Sequence, residues 1–205
     1  MIAAAAACAP LQALLEPDPV PPAPPPSAGA IERLSPAPRW PPTARANAAA
    51  ALPDTTTVNK YLSYDSTART VHIKLVAAAT SALGGLNYNG GSSGDQTITV
   101  PVGWTVDIDF LNADAIPHSA IVIAAQKPIP AAPTRAAFPR AYTAHLFDGL
   151  SPQTGHDTMH FKADKSGDYF IACGVPGHAA SGMYINFVVS PTASRPTNTG
   201  TIGPP

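Results

Sequence analysis

The chain has 205 residues, a formal net charge of -1 and only 12% charged residues, so it lacks the clustered Lys and Arg that a phosphate backbone demands, and nucleic acid is excluded as the expected partner. Its body contains no run of about 18 or more apolar residues, which argues against a membrane-spanning helix. Thirteen of its 25 prolines precede residue 54, leaving one domain's worth of ordinary sequence, residues 57–190, long enough for a single hydrophobic core.

Residues 1–56 come first. They open with MIAAAAACAP, where small apolar residues lead to Cys8 as at a bacterial lipoprotein cleavage site, although the charged n-region and longer apolar stretch of a full signal are missing. The Pro/Ala-rich sequence that follows has few amide donors and too few apolar residues to build a core. It is expected to be a disordered, extended tether, with Cys8 as the point of a lipid anchor.

From residue 57 the apolar period is two. VHIKLV puts Val71, Ile73 and Leu75 on one face and His72 and Lys74 on the other. WTVDIDF repeats the pattern with Trp104, Val106, Ile108 and Phe110, as do HSAIVIA and MYINFVV, and DYFIAC is strand-like. Turn signals separate these runs: the pair Gly84 and Gly85, NGGSSGD and KSGD. Short strands without amphipathic helices predict an all-β, antiparallel sandwich or barrel. Residues 126–155, rich in proline and alanine, read as an excursion between strands, and residues 191–205 as a disordered, frayed tail.

The chemistry concentrates in CGVPGHAASGM, residues 173–183. Cys173 and His178 supply a thiolate and an imidazole, and Met183 a weaker thioether, in a C-x4-H-x4-M spacing. A trigonal His2Cys site with a long axial methionine is a copper donor set, and it needs a second histidine. His118 is the best candidate, because it follows proline in AIPHSAIVI at the mouth of a strand. His72 falls on a polar strand face, where a solvated role is favoured. His156 and His160 stand four apart on one polar face of a strand-like stretch, and His145 has less to support it. A lone cysteine is often just a small buried hydrophobe; here it is the conjunction of motifs that favours a ligand.

These segments resemble the cupredoxins, and among them the sulfocyanins, most closely in YFIACGVPGHAASGM and in LNYNGGSSGDQTITVPVGWTVDIDFLNADAIPHS. The likeness spans roughly residues 70–190. It implies a Greek-key β-sandwich holding one mononuclear type 1 copper near one end, with His118, Cys173 and His178 as equatorial ligands and Met183 as the axial one. It implies a one-electron carrier rather than an enzyme, with His178 near the surface as the exit path. The small residues Pro176, Gly177, Ala179 and Ala180 are then expected to form a flat apolar docking patch. Ser119 stands where many cupredoxins have an asparagine that ties the ligand loops together; rusticyanin resembles this chain there and in the loop spacing.

The expected partners are redox proteins of a respiratory chain, met by a monomer on the extracytoplasmic, periplasmic side of the membrane. The rival reading is a copper-binding or storage protein, or a non-redox module of the same fold. A binuclear centre would need a second loop cysteine, and zinc would leave Met183 unexplained.

Overall fold

The computed structural model describes residues 54–203. Cys8, its expected lipid anchor and most of the proline-rich tether lie outside the described residues. Ten strands among the described residues build two five-stranded sheets. The first runs, in spatial order, through β1 (Thr55–Asn59), β2 (Leu62–Asp65), β3 (Thr70–Ala77), β5 (Trp104–Asn112) and β7 (His156–Ala163). The second runs through β10 (Thr197–Gly200), β4 (Gln96–Pro101), β9 (Tyr184–Ser190), β8 (Gly167–Ala172) and β6 (Ile121–Ala124).

The period-two pattern explains the layering. Val71, Ile73 and Leu75 of β3 and Val106, Ile108 and Phe110 of β5 turn inward, and in one buried cluster they join Ile98, Ile185, Phe187 and Val189 from the second sheet. Phe161 of β7 meets Phe187 of β9 edge to face, with ring centroids 6.2 Å apart. Each such side chain, fully buried, contributes roughly 1.5–3 kcal/mol.

Residues 126–155 contain no strand, as expected of an excursion, and they have a structural task. Ile129, Ala136 and Leu146 pack on a second buried cluster formed by Ile121, Ile123, Phe170, Ala172, Ala179 and Tyr184. That packing buries β6 and the end of β8 on both faces, so their apolar runs hardly alternate. The excursion also reaches the ligand loops, with Gly177 N–H donating to Ala131 O at 2.7 Å and Leu150 N–H to His118 O at 2.7 Å.

Two expectations are corrected. The sandwich is mixed rather than antiparallel, because β3 pairs with β5 and β4 with β9 in parallel. The chain leaves the first sheet after β3, adds β4 to the second and returns, a crossover that side-chain alternation does not encode. Nor is residues 191–205 a frayed tail throughout, since β10 pairs antiparallel with β4, Thr197 facing Thr99 and Gly200 facing Gln96. Its hold is polar. Gln96 Nε2 donates to Asn198 Oδ1 at 2.9 Å in a buried contact, and Gly203 N–H donates to Asn89 O at 2.6 Å. A segment held by its backbone ladder and one amide pair has no apolar period to betray it.

Candidate metal centre

Two connections at one end of the sandwich carry the predicted ligands. His118 lies between β5 and β6, fully buried, and Cys173 follows β8 directly, also fully buried. The loop from Cys173 to Met183 closes on itself: Cys173 N–H donates to Met183 O at 3.0 Å, and Met183 N–H to His178 O at 3.0 Å. Gly182 sits at φ +106 with Leu83 so near that a Cβ would stand 2.7 Å from its Cδ2, so a side chain there would be both strained and obstructed.

Three donor atoms converge. His118 Nδ1 is 3.2 Å from His178 Nδ1, and Cys173 Sγ is 3.6 Å from His178 Nδ1 and 3.9 Å from His118 Nδ1. Those spacings are what ligand atoms about 2.0–2.3 Å from a shared ion require. Among the described residues this is the one place where three His, Cys, Asp or Glu donors gather so closely. Met183 is fully buried, and backbone bonds tie it to Cys173 and His178 within the same loop.

The electrostatics suit a soft cation. Burial pushes the Cys173 thiol up, against hydrogen bonds around Ser119 and Val175 that pull it down, so without metal the proton stays on and an incoming ion must displace it. Burial, and next the neighbouring His118, pull the His178 imidazole down, with Asp114 opposing; a neutral ring presents the lone pair that a metal needs.

Asp114 orients one of the three converging side chains. His118 Nε2–H donates to Asp114 Oδ2 at 2.8 Å, and Ala115 N–H donates to Asp114 Oδ1 at 2.6 Å. The carboxylate thus fixes the proton on Nε2 and leaves Nδ1 free toward the cluster, the usual carboxylate–histidine arrangement of metal sites. Burial raises the Asp114 carboxyl, but the His118 bond, the Ala115 N–H and the two imidazoles outweigh it and hold it below the usual range. An aspartate four residues before the histidine, in DAIPH, was the available signal.

Ser119 does tie the ligand loops together. Its Oγ–H donates to Leu146 O at 2.6 Å, and its Oγ accepts Gly174 N–H at 3.1 Å. One hydroxyl therefore links the residue after His118 to the residue after Cys173.

The other histidines stand apart. His72 Nδ1 lies 3.4 Å from Asp107 Oδ2, His160 Nδ1 lies 2.5 Å from Asp107 Oδ1, and His156 Nε2 meets Asp109 Oδ1. All three are exposed on the solvent face of the first sheet, where alternation put them. His145 is exposed in the excursion. The expected docking patch needs one correction: Pro176 and Ala180 are exposed, but Ala179 is fully buried in the second apolar cluster. The turn that exposes Ala180 points its neighbour inward against Phe170 and Tyr184.

The chain is similar to known proteins. The family model of the sulfocyanin (SoxE) domain matches residues 57–200. A sulfocyanin from Sulfolobus acidocaldarius is 31% identical over 140 residues, covering 65% of this chain and 70% of that protein. Among solved structures, rusticyanin from Thiobacillus ferrooxidans is 25% identical, with 60% of this chain and 82% of that one covered and a TM-score of 0.42. Dithionite-reduced auracyanin from Roseiflexus castenholzii is 24% identical, with coverages of 58% and 97% and a TM-score of 0.44.

Proposed function

The chain belongs to the sulfocyanin family, and on that premise we propose that it is a one-electron carrier built around a single type 1 copper, held by His118, Cys173 and His178 with Met183 as the weak axial ligand. The observation that carries this reading is the convergence of two imidazole Nδ1 atoms and one thiol sulfur within 3.2–3.9 Å of one another. A thiolate with two imidazoles, no carboxylate among the converging atoms and a methionine alongside fits copper better than zinc, magnesium or calcium. Copper bound there would supply a Cu(I)/Cu(II) couple.

The protein's own part is positioning. Ser119 and the Cys173–Met183 backbone bond fix the spacing of the ligand loops, and Asp114 fixes the ring of His118. The burial of Cys173, His118 and Met183 keeps water from the sulfur and the first imidazole. A cage closed by its own hydrogen bonds holds nearly one geometry for both oxidation states, so little must reorganise when an electron passes.

His178, half-buried, is the ligand nearest to solvent. Around the site, Pro176, Ala180, Leu83, Ile116 and Phe147 are exposed and uncharged. This surface is the proposed contact for redox proteins of a respiratory chain, where weak and brief association suits a carrier. An extracytoplasmic location, with Cys8 lipidated and the residues before β1 as leash, belongs to the same proposal; a leash would raise the local concentration of the domain near membrane partners.

Spectroscopy tests the centre. The Cu(II)-loaded chain is expected to show an intense visible thiolate-to-copper charge-transfer band that Cys173→Ser abolishes. A Cu(II)-loaded chain with intact Cys173 and no such band would refute the type 1 assignment.

A further inference from the structure

Asn87, Tyr88 and Asn89 are consecutive in a loop between β3 and β4, and all three are fully buried. A buried polar triplet in a loop is costly unless each group has partners. The asparagines have theirs: Asn87 Nδ2 donates to Thr80 O at 2.8 Å and to Ala82 O at 2.9 Å, while Asn89 Nδ2 donates to Lys74 O at 2.9 Å and its Oδ1 accepts Val76 N–H at 2.8 Å. Between them, Tyr88 and Gly91 exchange backbone bonds of 2.9 and 2.8 Å. The backbone at position 88 is therefore clamped from both sides, and the clamp aims one phenol. Tyr88 O–H donates to Ser119 O at 2.5 Å, across 31 residues of sequence.

Ser119 is the residue through which both ligand loops are joined, so the phenol bears on the joint itself. Burial pushes the Tyr88 phenol well up, so it keeps the proton that it donates to Ser119 O.

We propose that Tyr88 is a positioning residue of the metal centre: its phenol braces the Ser119 carbonyl and holds the His118 loop against the Cys173 loop. In Tyr88→Phe the ring still fills its place, but the brace is lost and the Ser119 carbonyl is left without its donor. One buried hydrogen bond is worth roughly 1–1.5 kcal/mol, which corresponds to about a tenfold rise in local opening of the loops. In a loaded centre the loosened ligand loops would also change the spacing of the donors, and with it the charge-transfer band.

The second consequence rests on the copper reading above, whereas the first does not, and the experiment separates them. In the metal-free full chain, alkylation of Cys173 is followed by peptide-resolved mass spectrometry, so that Cys8 is counted separately, for wild type, Tyr88→Phe and Tyr169→Phe. Tyr169 also loses a hydroxyl bond, to Lys165 O at 2.9 Å, and serves as the control. Tyr88→Phe is expected to speed Cys173 labelling about tenfold, beyond any change in global stability, and Tyr169→Phe to leave it unchanged. In the copper-loaded chain, Tyr88→Phe is expected to shift the charge-transfer band. Equal labelling rates in all three proteins, or a Tyr88→Phe effect matched by Tyr169→Phe, would overturn the brace. If wild type shows no charge-transfer band, the copper reading fails and the labelling result still decides the role of Tyr88.

Discussion

Replacing Ser119 with alanine removes one oxygen and, with it, the side-chain tie between the two ligand loops through that residue. Two short bonds disappear, the donation to Leu146 O at 2.6 Å and the acceptance from Gly174 N–H at 3.1 Å, along with a longer contact to Cys173 Sγ at 3.9 Å. Each is worth about 1 kcal/mol net, and a buried N–H left without a partner costs roughly 1–3 kcal/mol. Gly174 is buried and Leu146 leans on it, a Cβ at Gly174 coming within 2.3 Å of Leu146 Cδ1, so water has little room to replace the hydroxyl. The expected loss is about 2–4 kcal/mol. For a domain of about 150 residues, 1 kcal/mol moves the melting temperature by roughly 2–4 °C, which puts the Ser119→Ala midpoint about 5–15 °C lower. Thermal unfolding of the metal-free protein, followed by far-UV circular dichroism, measures this without any contribution from a bound ion. A midpoint within about 1 °C of wild type would show that the hydroxyl does not link the loops and that the centre is held by its backbone alone.

Other substitutions probe the charge and the surface of the site. Asp114→Asn keeps an oxygen to accept the His118 Nε2–H but removes a negative charge next to the centre. The copper-loaded variant is expected to fold as wild type and to have a higher reduction potential by voltammetry; an unchanged potential would count against any electrostatic role for Asp114. Ala179→Asp and Ala180→Asp are neighbours with opposite expected outcomes. An aspartate at 179 would be buried among Phe170, Tyr184 and Ile121, which calls for at least several kcal/mol and loss of the folded state in a denaturant titration. An aspartate at exposed 180 should leave stability within about 0.5 kcal/mol of wild type and slow electron exchange with a redox partner at fixed ionic strength.

The parts of the molecule that were readable in the sequence are those where one face of a strand is buried and the other wet. β3 and β5 alternate cleanly, and His72, His156 and His160 fall on the solvent side as their positions require. The ligand loop was readable for another reason, since Cys173, His178 and Met183 are close in sequence and their donor types are uncommon together. What stayed hidden depends on contacts between distant segments. Polar β1 and β10 are edge strands with little apolar signal, β2 is only four residues long, and the parallel pairing of β4 with β9 joins segments almost ninety residues apart. Ala179 was misplaced because a small residue in a loop looks the same whether it faces water or Phe170. Tyr88 and Asp114 act through partners 31 and four residues away, and neither partnership leaves a periodic trace.

The strand order of the second sheet has a further consequence, in the order of assembly. Cys173, His178 and Met183 lie within one hairpin, between β8 and β9, and can come together as soon as that hairpin closes. His118 joins them only when β6 pairs with β8, setting Ile121 opposite Ala172, a contact of higher sequence separation than the hairpin and so a slower step in folding. The edge strand of the second sheet, β10, follows the ligand hairpin in the chain and is made after it on the ribosome. A chain still being synthesised therefore offers a cysteine and a histidine but no finished cage. Metal ions met at that stage would find a two- or three-donor hairpin with far less selectivity than the completed centre, and selective loading has to wait for the finished fold.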